Sequence, residues 1–197
     1  LVQALEAGAD LAEVPGLVFR RQDGEVAKTE AYQLNPDLDS LPWPAREFLP
    51  MEKYWDNPGG IPTPSLQLIA SRGCPFGCIY CAWPQFMYGG NSYRTRDPKD
   101  VVDEIVWAVE TYGFKSFYFD DDTFNIGKKR LLAICDEIKS RDLNLPWAIM
   151  ARADQMDHEL LTAMKGAGLA ALKYGVESGS EELLKNACKG LSLDKVK

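Results

Sequence analysis

No stretch of the 197 residues approaches the roughly 18 to 20 consecutive apolar side chains of a membrane-spanning helix, so the sequence carries no transmembrane signal. Basic residues are the scarcer charge, 22 against 29 acidic ones. The formal net charge of −7 argues against a nucleic-acid backbone as the main partner, because such binding rests on neutralising phosphates. Histidine is represented by His158 alone. Cysteine is sparse too: there are five, an odd number, and three lie within eight residues. A secreted disulfide scaffold shows an even, dispersed set, so the pattern suits thiolate ligands in a reducing compartment, and a cytoplasmic location is expected. At 46% hydrophobic and 26% charged residues, the composition is that of a folded chain with one ordinary core and excludes large-scale disorder. Leucine stands first, no signal-like segment precedes the patterned residues, and the closing "LSLDKVK" reads as the start of a helix. A fragment of a longer protein is expected.

The opening "LVQALEAGADLAEVPG" reads as a short helix ending near Gly8, followed by a connector. In "GLVFRRQDGEVAKTE" two short mixed runs flank an Asp-Gly pair, a hairpin signal. Between Pro36 and Pro64 fall seven of the twelve prolines, which predicts an extended linker laid over a surface. Its "DLDSLPWPAREFL" carries enough Leu, Trp and Phe to be docked. From Ser65 onward strands and helices alternate. "LQLIAS", "SFYFD", "WAIMA" and "LAALKYG" read as four strands. The first helix has Asp97 as cap, Pro98 at its first position, and Val101, Ile105, Ala108 and Val109 on one face. The second buries Leu131, Ile134, Cys135 and Ile138, with Cys135 as a core thiol. The third turns Leu160, Leu161 and Met164 inward and ends at glycine, and the fourth, "SEELLKNACKG", includes Cys188. Four successive βα units predict an α/β fold, a parallel sheet with helices outside, as part of a barrel or open barrel.

Functional loops in such folds gather at the carboxyl ends of the strands. The first of these carries "SRGCPFGCIYC", whose C-x3-C-x2-C spacing directs three sulfurs to one centre. A structural zinc site wants four closed ligands, and the spare ones, Cys135, Cys188 and His158, lie far along the sequence. An iron-sulfur cubane accepts three thiolates and leaves one iron for another ligand, so spacing and context favour the cluster.

"CPFGCIYC" after an apolar strand, at the head of a βα series, resembles the radical S-adenosylmethionine (SAM) superfamily and its CxxxCxxC motif. The resemblance implies a [4Fe-4S] cluster held by Cys74, Cys78 and Cys81, with its open iron chelated by SAM. It implies reductive cleavage of SAM to a 5′-deoxyadenosyl radical that abstracts hydrogen from substrate, the cofactor carrying the hard chemistry. Tyr80 takes the position near the adenine, or is a packed loop aromatic; Gly73 and Gly77 serve loop geometry. Asp120, Asp121 and Asp122 in "YFDDDTF" stand where the family binds the SAM ammonium, although its Gly-Gly-Glu-type sequence is absent, and one of them serves as a helix cap. Arg152 offers a guanidinium fork to the SAM carboxylate, or forms a surface salt bridge. Glu177 and Ser178 fit the ribose-binding position, with Ser178 or Ser180 alternatively capping the last helix.

"VPGLVFRRQDGEV", "DLDSLPWPAREFL" and "YGVESGSEELLKNACKGLS" resemble the cobalamin (B12)-binding branch, and "CAWPQFMYGGNSYRTRDPKDVVDEI" resembles hopanoid-biosynthesis radical SAM proteins. By that resemblance residues 1–35 are the tail of a Rossmann-like, cobalamin-binding-type domain, 36–65 a proline-rich linker, and 66–197 about four of six βα units of a partial radical SAM barrel. No Asp-x-His-x-x-Gly sequence occurs, so cobalamin is implied for a longer protein. Arg94 and Arg96 bind an anionic group or form a charged loop ahead of the helix. The implied partners are a small-molecule or lipid-like substrate and an electron donor such as flavodoxin or ferredoxin. Two rival readings are a non-catalytic zinc-bearing α/β module and an electron-transfer iron-sulfur protein.

Overall fold

The computed structural model describes residues 1–54 and 56–196; Trp55, Lys197 and the side chain of Gln85, the last part of the Trp-Pro-Gln resemblance, lie outside the described residues. The chain divides into two compact units, Leu1–Pro36 and Asp37–Lys197. The smaller unit holds helix α1 (Val2–Glu6) and an antiparallel hairpin of β1 (Val18–Arg20) and β2 (Val26–Lys28). As the Asp-Gly signal predicts, the hairpin turns at Gly24, whose φ of +91° few side-chain-bearing residues adopt.

The larger unit is built on four parallel strands in the order β3 (Ser65–Leu68), β6 (Ser116–Phe119), β7 (Trp147–Ala151) and β8 (Leu169–Tyr174). Crossovers α2 (Pro98–Tyr112), α3 (Lys128–Ser140) and α4 (His158–Gly166) connect them, and α5 (Glu181–Asn186) follows the last. Asp97 caps α2 by accepting from the amides of Lys99 and Asp100, and Gly113 stops it in the left-handed region. Of the predicted stripes, Leu131, Ile134, Cys135 and Ile138 are buried on α3 and Val101, Ile105 and Ala108 on α2, where Val109 is only partly buried. Phe117, Phe119, Phe124 and Trp147 pack as an aromatic block beneath the carboxyl ends of the strands, with Phe119 and Phe124 stacked at 4.3 Å.

Two readings of the helices need correction. Leu161 is 36% exposed, because α4 turns only Leu160 and Met164 to the sheet. The last helix stops at Asn186, so Cys188 lies beyond it, exposed and with a φ of +53°. The closing residues form a short 3-10 turn over Leu193–Lys195.

Residues 37–64 are docked, as their apolar content predicts, but more deeply than a surface strap. Ile61 packs on Tyr118, Ala148 and Ala171, on the sheet face opposite the helices. Gly59 sits so close that a Cβ there would lie 2.9 Å from the Ala171 methyl. Charge fastens the same segment at the open side of β3. Glu104 on α2 is fully buried between Arg46 of the linker and Arg96. Arg96 Nη1 donates to Glu104 Oε2 at 2.5 Å, and Arg46 Nη1 meets Oε1 at 2.7 Å as an ion pair without hydrogen-bond alignment. The guanidinium groups also donate to backbone carbonyls, Arg46 to Gln67 of the strand and Arg96 to Ile69 just past its end. These contacts cover an edge that would otherwise offer unpaired groups.

The carboxyl ends of β3 and β6 are joined by side chains. Asp121 is 3% exposed; its Oδ2 accepts from the Ala70 amide at 3.1 Å and its Oδ1 accepts from the Ser71 hydroxyl. Asp122 accepts from the Gly73 amide at 2.8 Å. Those donors begin a ribbon that the sequence reading missed, β4 (Ser71–Gly73) paired antiparallel with β5 (Tyr93–Thr95). The ribbon closes the base of the cysteine loop. Gly73 has a φ of +93°, and a Cβ there would collide with the Ser92 carbonyl.

Burial raises the Asp121 carboxyl to about 6, against the opposing effect of its Ser71 and Ala70 donors. With the folded value above the unfolded one of about 3.9, the folded protein retains this proton between about pH 4 and 6. The stability it contributes is therefore full at low pH and is lost as pH rises through 6. Asp121→Asn retains an oxygen for Ala70 and does not titrate, so its stability relative to wild type is expected to climb across that window by up to about 3 kcal/mol. Urea unfolding at pH 4, 5, 6 and 7 measures this; a flat or falling difference contradicts it. Glu104→Ala, which leaves two buried guanidinium groups facing each other, is expected to cost about 3–5 kcal/mol. Lys99→Ala breaks only an exposed pair with Asp103 and should cost at most about 0.5 kcal/mol in the same assay.

Candidate metal and cofactor site

Cys74, Cys78 and Cys81 line one cavity of about 360 Å³ at the carboxyl ends of the strands. Tyr80, Asp120, Arg152, Glu177 and Lys189 line it with them. Each arrives by a different route. The cysteines ride the loop between β4 and β5; Asp120 follows β6; Arg152 follows β7; Glu177 and Lys189 flank α5 after β8. Cys78 is the most enclosed of the three sulfurs, while Cys74 and Cys81 are half-buried. Thr123 Oγ1 lies 3.3 Å from Cys74 Sγ.

The donor set bears on which metal group fits. Among the described residues no three His, Cys, Asp or Glu side chains are grouped tightly enough to share a single ion. A tetrahedral zinc site requires that convergence. A cubane asks for less, since each thiolate binds its own iron, and three soft sulfur donors around one cavity suit it. The proposed spare ligands are elsewhere: Cys135 is 1% exposed in the core on α3, where burial pushes its thiol up to about 11, and His158 is exposed at the start of α4.

The three aspartates divide. Asp121 and Asp122 spend their carboxylates on the loop backbone, and Asp122 also meets the Tyr88 hydroxyl, whose pKa burial and this contact raise to about 12. Asp120 stands exposed at the cavity, with its amide donating to the Leu68 carbonyl at 2.8 Å. None of the three caps α3, whose N-cap is Gly127.

Arg152 is 5% exposed, so its ion pair is not on the surface. Its Nε and Nη2 donate to the two oxygens of Asp154 at 2.9 and 3.0 Å, which fills the fork that the sequence offered to a ligand carboxylate. Lys189, which sequence reasoning missed, brings another cation to the cavity. It is 7% exposed, donates to Glu177 Oε1 at 3.2 Å and stands 5.9 Å from the centre of the Tyr80 ring. Tyr80 itself is 51% exposed. In "NACKG" a lysine before glycine reads as an ordinary helix-end charge. It is turned inward by left-handed backbone at Cys188 and Glu177, φ +53° and +70°, a costly conformation outside glycine. Gly175 admits the pair, since a Cβ there would lie 2.6 Å from Glu177 Oε1.

Ser178 is outside the cavity lining; its hydroxyl accepts from the Ser180 amide, and Ser180 in turn caps α5. Arg96 belongs to the buried network around Glu104, and Arg94 lies 5.8 Å from the Tyr88 ring centre. Neither lines this cavity.

The family model of the Radical SAM superfamily matches residues 68–197. The chain is 32% identical over its whole length to the uncharacterized methyltransferase PH0819 of Pyrococcus horikoshii, covering 42% of that protein. It is 31% identical over 92% of its length to the anaerobic magnesium-protoporphyrin IX monomethyl ester cyclase of Rubrivivax gelatinosus, covering 32% of that one. It thus spans less than half the length of these curated relatives. The fold superposes with a TM-score of 0.78 on a structure of the cobalamin-dependent S-adenosylmethionine radical enzyme OxsB with aqua-cobalamin and S-adenosylmethionine bound, at 24% identity, covering 98% of this chain and 28% of that one. With the family match extending from the first barrel strand through all three cysteines to the end of the sequence, this chain belongs to the radical SAM superfamily.

Proposed function

We propose that this chain is the cluster-bearing portion of a longer radical SAM enzyme acting on a small molecule. The observation that carries the reading is the placement of three thiols, the exposed carboxylates of Asp120 and Glu177 and one buried ammonium around a single cavity. Cys74, Cys78 and Cys81 would hold a [4Fe-4S] cluster, and the cavity beside them would receive SAM. When bound, the cluster supplies one electron to the SAM sulfonium, which breaks its C5′–S bond and releases methionine and a 5′-deoxyadenosyl radical.

The protein's own groups bind and orient. Asp120 is the free carboxylate for the SAM ammonium. Lys189 is assigned to the SAM carboxylate, because its bond to Glu177 at 3.2 Å leaves further N–H donors on the ammonium, whereas Asp154 takes the fork of Arg152. Glu177, held by Lys189, faces the ribose hydroxyls as an acceptor, and Tyr80 offers a half-exposed ring for the adenine. Opposite charges across the cavity match the two ends of the amino-acid moiety, and their partial burial strengthens both contacts.

In the same reading residues 1–35 are the tail of a cobalamin-binding-type domain and 36–65 a linker to the barrel portion 66–197. The relation to OxsB, at 26% identity in its selenomethionine-labelled form, supports a cobalamin-dependent parent. The Asp-x-His-x-x-Gly sequence does not occur in these 197 residues. Methylation or ring-forming C–H chemistry is the proposed outcome, supported by relatives named as methyltransferases and cyclases. A reducing, cytoplasmic setting with a flavodoxin or ferredoxin as electron donor accords with the free thiols. No described helix is long and apolar enough to cross a membrane.

Anaerobic reconstitution of the full-length protein should yield about four iron and four sulfide per chain. Cys74→Ala, Cys78→Ala and Cys81→Ala should each abolish stable cluster loading and reductive SAM cleavage; an intact cluster in any of them removes that cysteine from the ligand set. One zinc without sulfide would defeat the radical reading in favour of a zinc module. SAM should also perturb the EPR signal of the reduced cluster, and a fully loaded cluster indifferent to SAM would favour simple electron transfer. Asp120→Asn and Lys189→Met should each weaken SAM binding about 10- to 100-fold, the worth of one charge-assisted hydrogen bond. Equilibrium binding to the reconstituted protein tests this, and an unchanged Kd removes that residue from the site.

A further inference from the structure

Arg152 is held more firmly than an ordinary buried ion pair requires. Its backbone is clamped by the side chain of Asn125, which is 1% exposed: the Arg152 amide donates to Asn125 Oδ1 at 2.8 Å, and Asn125 Nδ2 donates to the Arg152 carbonyl at 2.7 Å. Asp154 takes the Nε and Nη2 side of the guanidinium, and Nη2 donates again to the Lys189 carbonyl at 2.8 Å. The flat face lies 3.7 Å from the ring centre of Phe76, a residue of the C-x3-C segment itself. With two nitrogens committed to oxygen acceptors and one face covered, Nη1 is directed to a sulfur. It lies 4.0 Å from Cys78 Sγ, the outer limit of an N–H···S contact. Cys78 is the most enclosed of the three cysteines, so little water competes there.

We infer that Arg152 sets the electron affinity of the cluster by presenting a fixed N–H to the Cys78 sulfur, with Asp154, Asn125 and Phe76 holding it in place. The inference rests on the proposed role of the three cysteines. Hydrogen bonds to ligand sulfurs and nearby charge are among the main levers on an iron-sulfur potential. The reduced cluster carries one more negative charge than the oxidised one, so a donor at the sulfur stabilises it more and raises the potential. Asp154 partly offsets the guanidinium charge, leaving its positive edge toward Cys78. Neutralising Asp154 should therefore move the potential in the opposite direction from removing Arg152. An ion pair too remote to feel the cluster's charge would not show that opposition, and the smaller fall in Arg152→Lys than in Arg152→Gln separates charge from the directed fork.

The test is an equilibrium redox titration of the anaerobically reconstituted full-length protein, followed by the EPR signal of the reduced cluster, with iron and sulfide counted in each sample. In Arg152→Gln the ratio of reduced to oxidised cluster at a fixed solution potential is expected to fall about tenfold, a shift of about 59 mV downward for one electron. Asp154→Asn is expected to shift it upward, and Arg152→Lys, which keeps charge without the fork, to fall less than Arg152→Gln. A fully loaded Arg152→Gln protein with an unmoved potential overturns the inference and leaves Arg152 a structural ion pair. Should Arg152→Gln fail to hold a cluster, Asp154→Asn decides, and an unchanged or lowered potential there overturns it. A wild-type protein that takes up neither iron nor sulfide overturns the cysteine assignment as well, which separates the two failures.

Discussion

The site depends on two carboxylates that bond to the base of the cysteine loop. Asp121 and Asp122, at the end of β6, accept from the amides of Ala70 and Gly73 and from the Ser71 hydroxyl. The chain leaving β3 has no sheet partner there beyond the short β4–β5 ribbon, so its amides need acceptors from elsewhere. Supplying them from the neighbouring strand fixes where Cys74 begins and hence where the loop can carry Cys78 and Cys81. Burying Asp121 is unfavourable to its charge, which is why its pKa moves up to about 6. The same strand end leaves Asp120 exposed, so the three neighbouring carboxylates that line the cavity differ in how far they are committed to the loop.

A second set of buried charges joins segments distant in sequence. Glu104 holds Arg46 of the linker and Arg96 of the pre-helix loop; Arg46 donates to the Gln67 carbonyl of β3 and Arg96 to the Ile69 carbonyl just past its end. Ile61 from that linker fills the sheet face opposite the helices. The proline-rich segment therefore completes the first strand's environment. Arg152 repeats the device on the cavity side, where Asp154 satisfies most of its fork and the cysteine loop stacks on its face. In each case a guanidinium supplies several donors in a fixed plane, which a flexible ammonium would do less well.

Much of this was legible beforehand. Periodicity placed the four parallel strands and their helices, the hairpin at Gly24 and the cap at Asp97, because each reports on local geometry. Cys74, Cys78 and Cys81 stood out as candidate ligands because three soft donors at that spacing have few other uses, and the structure brings all three to one cavity. The β4–β5 ribbon was not legible: "SRG" and "YRT" have no apolar alternation, and what pairs them is the closure of the loop over residues 74–92. Leu161 was misplaced because a three-residue apolar cluster on a short helix does not say which member faces out. Cys188 was drawn into a helix that ends two residues earlier.

The sequence by itself determined the alternation of strand and helix and the family, and it marked three cysteines as candidate sulfur donors, since these follow from local patterns and from residue chemistry. Only the tertiary structure decided what each charged group around the cavity is paired with. Asp120, Asp121 and Asp122 are chemically alike and adjacent, and Arg152 and Lys189 both carry one positive charge. They differ in what surrounds them: Asp121 and Arg152 are taken by partners fifty-one residues back and two residues on, while the left-handed turn at Cys188 brings Lys189 inward. Partners brought together by folding decide whether a charged group is free to bind, and burial decides how strongly.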